Sequence, residues 1–228
     1  MNGYEIFKAL LGLKLEYENF DWLENRSLSE VEILVSVILT QNTNWNNVLK
    51  ALNNLKEAGI NNLELLDSLD KEKLAILIKP SGFYNTKAKR IKELVSAILR
   101  EFKDLQNFKT CVDRAWLLNI KGLGFESADS ILNYLCKKEI LVVDAYTNRL
   151  AKALNYEFES YDECREFFES GIEIKQDILC EILGKKCELY ELYQIFHALI
   201  LSFVKKYSKA KGINEEGKAI LRGAVGET

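Results

Sequence analysis

The sequence predicts an all-α protein, and three observations support that fold class. The 228-residue chain contains a single proline, a residue that interrupts helices because it lacks the backbone donor and clashes with the preceding turn. The apolar residues recur at intervals of three and four, the spacing of one helix face, and alternating strand patterns are nearly absent. Hydrophobic residues make up 48% of the chain, which is enough for a substantial core.

Two core helices are predicted in the first quarter of the chain. Ser29 and Glu32 have the spacing of a capping box and predict a helix that stops near Thr40. A second helix is predicted from about Trp45 to Gly59, because glycine commonly follows the last helical turn. The apolar faces are formed by residues at helical spacing, namely Val31, Leu34, Val35 and Ile38 in the first helix and Val48, Leu52 and Leu55 in the second.

The helical pattern continues to about residue 208. Pro80 and Gly82 predict a turn, after which a long helix begins at about Lys87. Residues 142–143, both valine, predict a short extended link. The tail after about Gly212 has scattered charges and little apolar pattern, so we expect it to be loose. Further helices are predicted at about 113–120, 126–136, 145–155, 162–171 and 188–208.

The composition favours a soluble, cytoplasmic protein without a membrane segment. The chain shows neither a charged leader before an apolar stretch nor a long apolar run. The net charge of −3 argues mildly against nucleic acid, although residues 87–92 and 205–211 are locally basic and could be solvated helix faces or part of a DNA footprint. The five cysteines are scattered without a Cys-x-x-Cys pair, so free thiols are favoured over disulfides or zinc.

Residues 117–132 predict a helix, a Gly-x-Gly turn and a second helix. Gly122 and Gly124 permit a sharp turn and the close approach of another molecule, and Leu123 can pack beneath the turn. The amides at the start of the second helix can then hold a phosphate oxygen, directly or through a cation. A plain structural hairpin is the alternative interpretation.

Asp144 is the leading candidate for chemistry. It follows the apolar pair Val142–Val143 and stands at the start of a predicted helix. Aspartate is a common helix N-cap, which is the alternative interpretation. Both roles can hold, because a helix N-terminus stabilises an ionised carboxylate, the state required to face a developing positive charge.

Together these motifs resemble the endonuclease III superfamily of DNA glycosylases, the helix-hairpin-helix group with a catalytic aspartate. Two further segments agree, Leu39-Thr40-Gln41-Asn42-Thr43 with Trp45, and Gly82-Phe83-Tyr84-Asn85-Thr86-Lys87-Ala88. All four occur in the family's order. Three segments are most similar to the 3-methyladenine DNA glycosylase III group. They are Leu-Thr-Gln-Asn-Thr, Pro-Ser-Gly-Phe-Tyr-Asn and Gly-x-Glu-Ser-Ala-Asp.

The resemblance implies two helical lobes with a cleft between them. A six-helix lobe at 28–140 would contain the hairpin, and both termini, 1–27 plus 141–228, would form the second lobe. The implied partner of this monomer is double-stranded DNA with a damaged base, with a monovalent cation at the hairpin when DNA is bound. Asp144 would be the catalytic residue. The residues implied to contact DNA are Gln41, Asn42, Lys121, Gly122, Leu123, Gly124 and Ser127.

Three departures from endonuclease III refine that expectation. Glu126 occupies the position of the lysine nucleophile, which implies a monofunctional enzyme without strand cleavage. Cys180 and Cys187 have the first spacing of the iron–sulfur loop, but no Cys-x-x-Cys follows, so no cluster is expected. His197 lies in a segment similar to the family's His-Gly pair, but Ala198 replaces the glycine, and we interpret His197 as structural.

The expected mechanism begins with rotation of the damaged nucleotide out of the duplex. Trp45, and less securely Trp22, would face an alkylated purine, whose positive charge attracts an indole ring; Trp116 is expected in the core. Gln41 would fill the space left by the extruded base, while Asp144 stabilises the sugar cation. The plainer alternatives are a core aromatic for Trp45 and a loop amide for Gln41.

Two competing functions stay open at this point. An endonuclease III-like enzyme with lyase activity would act on oxidised pyrimidines, and Glu126 counts against it. A noncatalytic helix-hairpin-helix module would use Gly122–Gly124 only to hold a DNA backbone, and it leaves Asp144 and Gln41 without a role.

Overall fold

The computed structural model describes residues 1–17, 22, 28–209 and 212–226. The prediction of an all-α protein is confirmed, because the described residues form helices and one two-residue antiparallel pair, Ser208–Lys209 (β1) with Gly212–Ile213 (β2). Within these residues, no helix has the length and apolar character needed to cross a lipid bilayer. The chain divides into two compact units. One consists of Met1–Asn25 with Lys137–Thr228, and the other is Arg26–Cys136.

The helices of the described residues are mostly short, with two longer helices of 19 residues, one in each unit. Helix α1 and helices α10 to α14 lie in the unit built from both termini, and α2 to α9 lie in the central unit. In chain order they are α1 (Gly3–Gly12), α2 (Glu30–Leu39), α3 (Trp45–Glu57), α4 (Leu63–Ser68), α5 (Lys71–Leu77), α6 (Tyr84–Phe102), α7 (Leu105–Cys111), α8 (Arg114–Asn119), α9 (Phe125–Ser130), α10 (Ala145–Ala153), α11 (Tyr161–Glu169), α12 (Gln176–Leu183), α13 (Leu189–Tyr207) and α14 (Glu215–Val225).

Helices α2 and α3 begin and end where the sequence predicts. The Ser29 hydroxyl accepts a hydrogen bond from the Glu32 amide at 3.3 Å, and the Glu32 carboxylate accepts one from the Ser29 amide at 2.8 Å, so the capping box is present. Helix α2 then ends beside Thr40. Asn44 caps α3 at Trp45, and Gly59 follows its end with a φ of 73°.

Helix α6 begins three residues earlier than predicted, at Tyr84, directly after Phe83 in the left-handed region. Its basic stretch is not a uniformly solvated face, because Lys87 is buried; a DNA-binding role for this stretch stays a prediction. The Lys92 ammonium donates to the carbonyls of Leu66 and Leu69 at 3.1 and 2.9 Å, and it thereby caps the end of α4. Half of the predicted charge cluster therefore serves the fold of the central unit.

The prediction of a loose tail is wrong for residues 212–226. Ile213, Gly217 and Leu221 recur every four residues and are buried; Gly217 and Leu221 form the inner face of α14, and Ile213 precedes that helix in β2. The Asn214 side chain accepts from the Gly217 amide at 2.8 Å and starts this helix. Helix α14 packs against α1 and α13. The burial of three periodic residues offsets the loss of chain entropy that a polar tail would otherwise retain.

Helix α13 is the centre of the terminal unit. Phe196 is fully buried, and its ring stacks on that of Phe7 from α1 with centroids 4.7 Å apart. Phe168 from α11 packs against the same ring at 5.9 Å. These aromatic contacts fix the rotation of α13 and so decide which of its side chains face α10.

Candidate active site

Asp144 stands where the buried segment Leu141–Val143 ends and α10 begins. One carboxylate oxygen, Oδ1, accepts hydrogen bonds from the amides of Tyr146 and Thr147, both at 2.8 Å, and from the Thr147 hydroxyl at 3.1 Å. The side chain is only 11% exposed. The N-cap interpretation is therefore correct as geometry, and it leaves the second oxygen, Oδ2, for other chemistry.

The second oxygen of Asp144 faces an imidazole. The Nε2 atom of His197, from α13, lies 3.6 Å from Oδ2. Burial alone would raise the pKa of Asp144, but the neighbouring His197 and then the Thr147 amide and hydroxyl outweigh it, so the pKa lies below its usual value. Asp144 is consequently an anion at neutral pH.

Sequence reasoning interpreted His197 as structural and missed this contact. The two residues are 53 positions apart, as their numbers in the chain show, and no local motif joins them. The available signal was the segment around His197 that resembles the family's His-Gly pair. His197 itself is 3% exposed and belongs to the central helix of its unit.

The glycine turn joins α8 to α9 as predicted. Gly122 has a φ of 92°, a conformation that glycine adopts without strain, and the Leu123 side chain is 7% exposed beneath the turn. Gly124 precedes the first residue of α9. Lys121 and Glu126 are both exposed. The Glu126 carboxylate therefore occupies, in exposed form, the position where endonuclease III has its lysine nucleophile.

A two-point ion pair locks the helices on either side of this turn. The Arg114 guanidinium in α8 donates to both oxygens of Asp129 in α9, from Nε at 2.7 Å and from Nη2 at 3.0 Å. Asp129 is completely buried. The same guanidinium lies 5.0 Å over the ring of Phe125. The geometry of the hairpin thus depends on one buried charge pair.

Gln41 is joined to the hairpin by its side-chain amide. Its Nε2 donates to the Gly122 carbonyl at 3.2 Å and to the Ser127 hydroxyl at 3.1 Å. Its Oε1 accepts from the Arg90 guanidinium at 2.5 Å. The structure therefore brings three predicted site residues together and adds Arg90, which the sequence indicated only as part of a basic stretch. Asn42 follows with an exposed side chain and a φ of 54°.

Phe83 is an exposed aromatic residue beside Gln41. It belongs to the segment Gly82–Ala88 that resembles the family, but the sequence indicated no role for it. Its side chain is 71% exposed, and its φ of 46° is rare for a residue with a side chain. Together with Gln41, Asn42, Thr86, Lys87 and Arg90 it lines a shallow pocket of about 130 Å³. Phe83 thus combines a left-handed backbone conformation with an exposed aromatic ring at the rim of this pocket.

Lys87 ties together the two loops that carry Gln41 and Phe83. Its buried ammonium donates to the carbonyls of Leu39 and Ser81, at 2.8 and 2.7 Å, and each acceptor lies two residues before one of these side chains. Burial, and then the charge of Arg90, lower the pKa of Lys87 to about 8. The Lys87 ammonium thus fixes the backbone just before Gln41 and just before Phe83.

The three tryptophans occupy different environments. Trp45 is the first residue of α3 and is half-buried, and Trp22 is also half-buried. Their assignment to a base pocket stays a prediction. Trp116 packs edge-on against Phe102, with centroids 5.0 Å apart, and its indole N–H donates to the Glu101 carboxylate, which makes it a structural residue.

The cysteines are all free thiols. The Cys187 amide donates to the Cys180 sulfur at 3.3 Å, so the two residues with iron–sulfur spacing are neighbours. Within the described residues, no group of three or more histidine, cysteine or acidic side chains is arranged to hold a metal ion. The cation expected at the hairpin stays a prediction.

A helical hairpin with a glycine turn, bound by a glutamine amide, together with an ionised aspartate at a helix N-terminus, defines the class of helix-hairpin-helix DNA repair proteins. The chain belongs to the HhH-GPD superfamily of base excision DNA repair proteins, whose family model matches residues 35–173. It is a DNA glycosylase of that family.

Relatives of known sequence or structure agree with this membership. A DNA repair glycosylase of Methanocaldococcus jannaschii is 38% identical over 217 residues, which cover 92% of this chain and 90% of the relative. The crystal structure of a 3-methyladenine DNA glycosylase of H. pylori, bound to 1,N6-ethenoadenine, superimposes with a TM-score of 0.85 at 41% identity, covering 92% of this chain and all of that one. A covalent endonuclease III–DNA intermediate shares the fold, with a TM-score of 0.69 at 19% identity over 97% of this chain and 100% of that one.

Proposed function

We propose that this glycosylase hydrolyses the N-glycosidic bond of alkylated purines such as 3-methyladenine and leaves the DNA strand intact. The observation that carries the proposal is the state of Asp144, an anion held by three donors on one oxygen with its other oxygen uncommitted to the helix. The similarity to the H. pylori enzyme, described as a 3-methyladenine DNA glycosylase, supports the substrate class.

Asp144 supplies the charge that this chemistry needs. As the bond to the base breaks, positive charge develops on the sugar, and a fixed carboxylate stabilises it without reorganising. The same carboxylate can orient or deprotonate the attacking water. An alkylated purine is already cationic and leaves readily, so no strong general acid is required.

Recognition of the damaged base is assigned to aromatic and amide side chains. The face of Trp45, with Trp22 as a second candidate, attracts a cationic purine by about 0.5 to 2 kcal/mol more than a neutral one. Gln41 fills the space vacated by the extruded base, and the exposed ring of Phe83 beside it supports the opposite strand. The monovalent cation and the residues 121–124 with Ser127 hold the backbone phosphate.

The absence of strand cleavage is inferred from Glu126. A lyase forms a Schiff base through an amine at this position, and a carboxylate cannot do so. Glu126 is exposed in the first turn of α9, where an acidic residue stabilises the helix N-terminus. The residue therefore has a structural reason to be present that is unrelated to lyase chemistry.

The decisive experiment offers the purified protein duplexes that contain 3-methyladenine, 1,N6-ethenoadenine, uracil or an oxidised pyrimidine. Released bases are separated by chromatography, and a parallel reaction with borohydride traps any Schiff base. We expect release of the alkylated purines without a covalent adduct. Release of the oxidised pyrimidine with a trapped adduct would establish the endonuclease III-like alternative instead, and no release from any duplex would indicate a noncatalytic module.

Replacing Trp45 by alanine is expected to slow 3-methyladenine release about 2- to 30-fold, the equivalent of the lost cation–π contact. Binding to undamaged DNA should stay nearly unchanged, because that binding depends on phosphates. Single-turnover excision and anisotropy measure the two quantities, and Trp45→Phe, which keeps an aromatic face, should lose less. An equal loss of excision and of nonspecific binding would make Trp45 a folding residue.

A further inference from the structure

We propose that His197 is a positioning residue that holds the second oxygen of the Asp144 carboxylate in its reactive orientation. The inference rests on the proposed role of Asp144 and extends the site to a helix for which no part in the chemistry has been assigned. His197 itself is not proposed to touch the substrate.

The two oxygens of the Asp144 carboxylate have different partners. Oδ1 receives all three donors of the α10 N-terminus, the Tyr146 and Thr147 amides and the Thr147 hydroxyl. These bonds converge on one atom, and none of them acts on Oδ2. The imidazole Nε2, 3.6 Å from Oδ2, is the group that faces the second oxygen.

The rigidity of His197 is the second argument. The side chain is 3% exposed, and the preceding residue, Phe196, is stacked on Phe7 with centroids 4.7 Å apart. An imidazole held in this way loses little conformational entropy when it orients a neighbour. The separation from Oδ2 is about 0.5 Å longer than a hydrogen bond, which places the imidazole just beyond hydrogen-bond range of that oxygen.

The electrostatic surroundings single out His197 among the titratable groups packed near Asp144. From α11, the Cys164 thiol is buried, and burial together with the charge of Asp144 raises its pKa to about 12, so it stays neutral. On α10 itself, the Arg149 guanidinium is exposed and lies 5.2 Å over the ring of Tyr146. The Lys205 ammonium of α13 lies 5.8 Å from the Tyr146 ring, whereas His197 of the same helix lies 3.6 Å from Oδ2 of Asp144.

The arrangement has a consequence that a purely structural histidine would not have. If His197 fixes Oδ2 and favours the ionised carboxylate, its removal slows base release and makes Asp144 take up a proton at higher pH. The acid limb of the excision rate then moves to higher pH. Affinity for the lesion duplex stays the same, because the carboxylate acts after the nucleotide has bound.

The test compares His197→Leu, which removes the donor, with His197→Gln, whose amide N–H reaches a similar position. Single-turnover excision is measured across pH, the dissociation constant of the lesion duplex by anisotropy, and folding by thermal unfolding. We expect His197→Leu to lose about tenfold or more in rate with an upward-shifted acid limb and unchanged affinity. His197→Gln should keep most of the rate, and its acid limb should move less than that of His197→Leu, because the amide can donate but carries no charge.

Two further variants make the outcome decisive. Tyr193→Phe alters a buried residue one turn earlier on α13 and should behave as wild type. His197→Asn, polar but too short to reach Oδ2, replaces His197→Leu if that variant does not fold.

A folded His197→Leu or His197→Asn with the wild-type rate and pH profile would overturn the inference. Equal losses in the leucine and glutamine variants, each matched by an equal drop in stability, would also overturn it. Asp144→Asn, assayed in parallel, separates the two proposals. If Asp144→Asn is inactive while the His197 variants are unaffected, only the positioning role fails. If Asp144→Asn retains full activity, the assignment of Asp144 itself is wrong.

Discussion

Replacing Asp144 by asparagine is expected to reduce base release by about 10²- to 10³-fold, because the fixed charge that stabilises the sugar cation is lost. The amide has the same shape, and its oxygen can still accept from the Tyr146 and Thr147 amides as the N-cap of α10. Folding and DNA binding should therefore persist. Single-turnover release of 3-methyladenine, with anisotropy on the same duplex, measures both parts of the prediction.

The pH dependence of stability provides an independent check on the charge of Asp144. Because its pKa is lowered in the folded protein, the ionised group stabilises the fold above its unfolded-state pKa of about 3.9. That stabilisation is lost as the pH falls through the lower folded value. The difference in melting temperature between wild type and Asp144→Asn should thus be largest near neutral pH and shrink below about pH 4. A difference that grows on acidification would contradict the assigned charge.

Local signals in the sequence were sufficient for much of the fold. Ser29 with Glu32 predicted the start of α2, and Gly59 predicted the end of α3, because capping depends on residues within one turn of each other. The short helices α4, α7 and α12 were not predicted, since so few turns carry too little periodicity to be recognised, and the ten-residue α1 was also missed. Helix α14 was not predicted either, because only every fourth residue on its inner face is buried and the intervening residues are largely polar.

The candidate site was predictable in its motifs but not in its connections. Asp144 and the Gly122–Gly124 turn could be recognised from neighbouring residues. Asp144 begins a helix, and Gly122 has a positive φ. The contacts of Arg90 with Gln41 and of His197 with Asp144 join residues 49 and 53 positions apart. Such pairs depend on how helices pack, and a single sequence holds no local trace of that packing.

Replacing Arg114 by methionine is expected to lower the free energy of unfolding by about 3 to 5 kcal/mol, because it removes the guanidinium that donates to both oxygens of the buried Asp129 carboxylate. Asp129 is completely buried, and Arg114 donates to both of its oxygens. The pair joins α8 to α9, so the hairpin should lose its shape and DNA affinity should fall as well. Urea unfolding, followed by circular dichroism, measures the loss.

Two comparison variants show whether burial of the charge is the cause. Arg100→Met removes a guanidinium from an exposed pair with Glu101, in which the arginine side chain is 69% exposed, and it should cost about 0 to 1 kcal/mol. The double variant Arg114→Met with Asp129→Asn removes both charges and should recover part of the lost stability, because no uncompensated ion remains inside. If the double variant recovers no stability relative to Arg114→Met, the guanidinium acts through packing on Phe125, and the hairpin is not locked by charge.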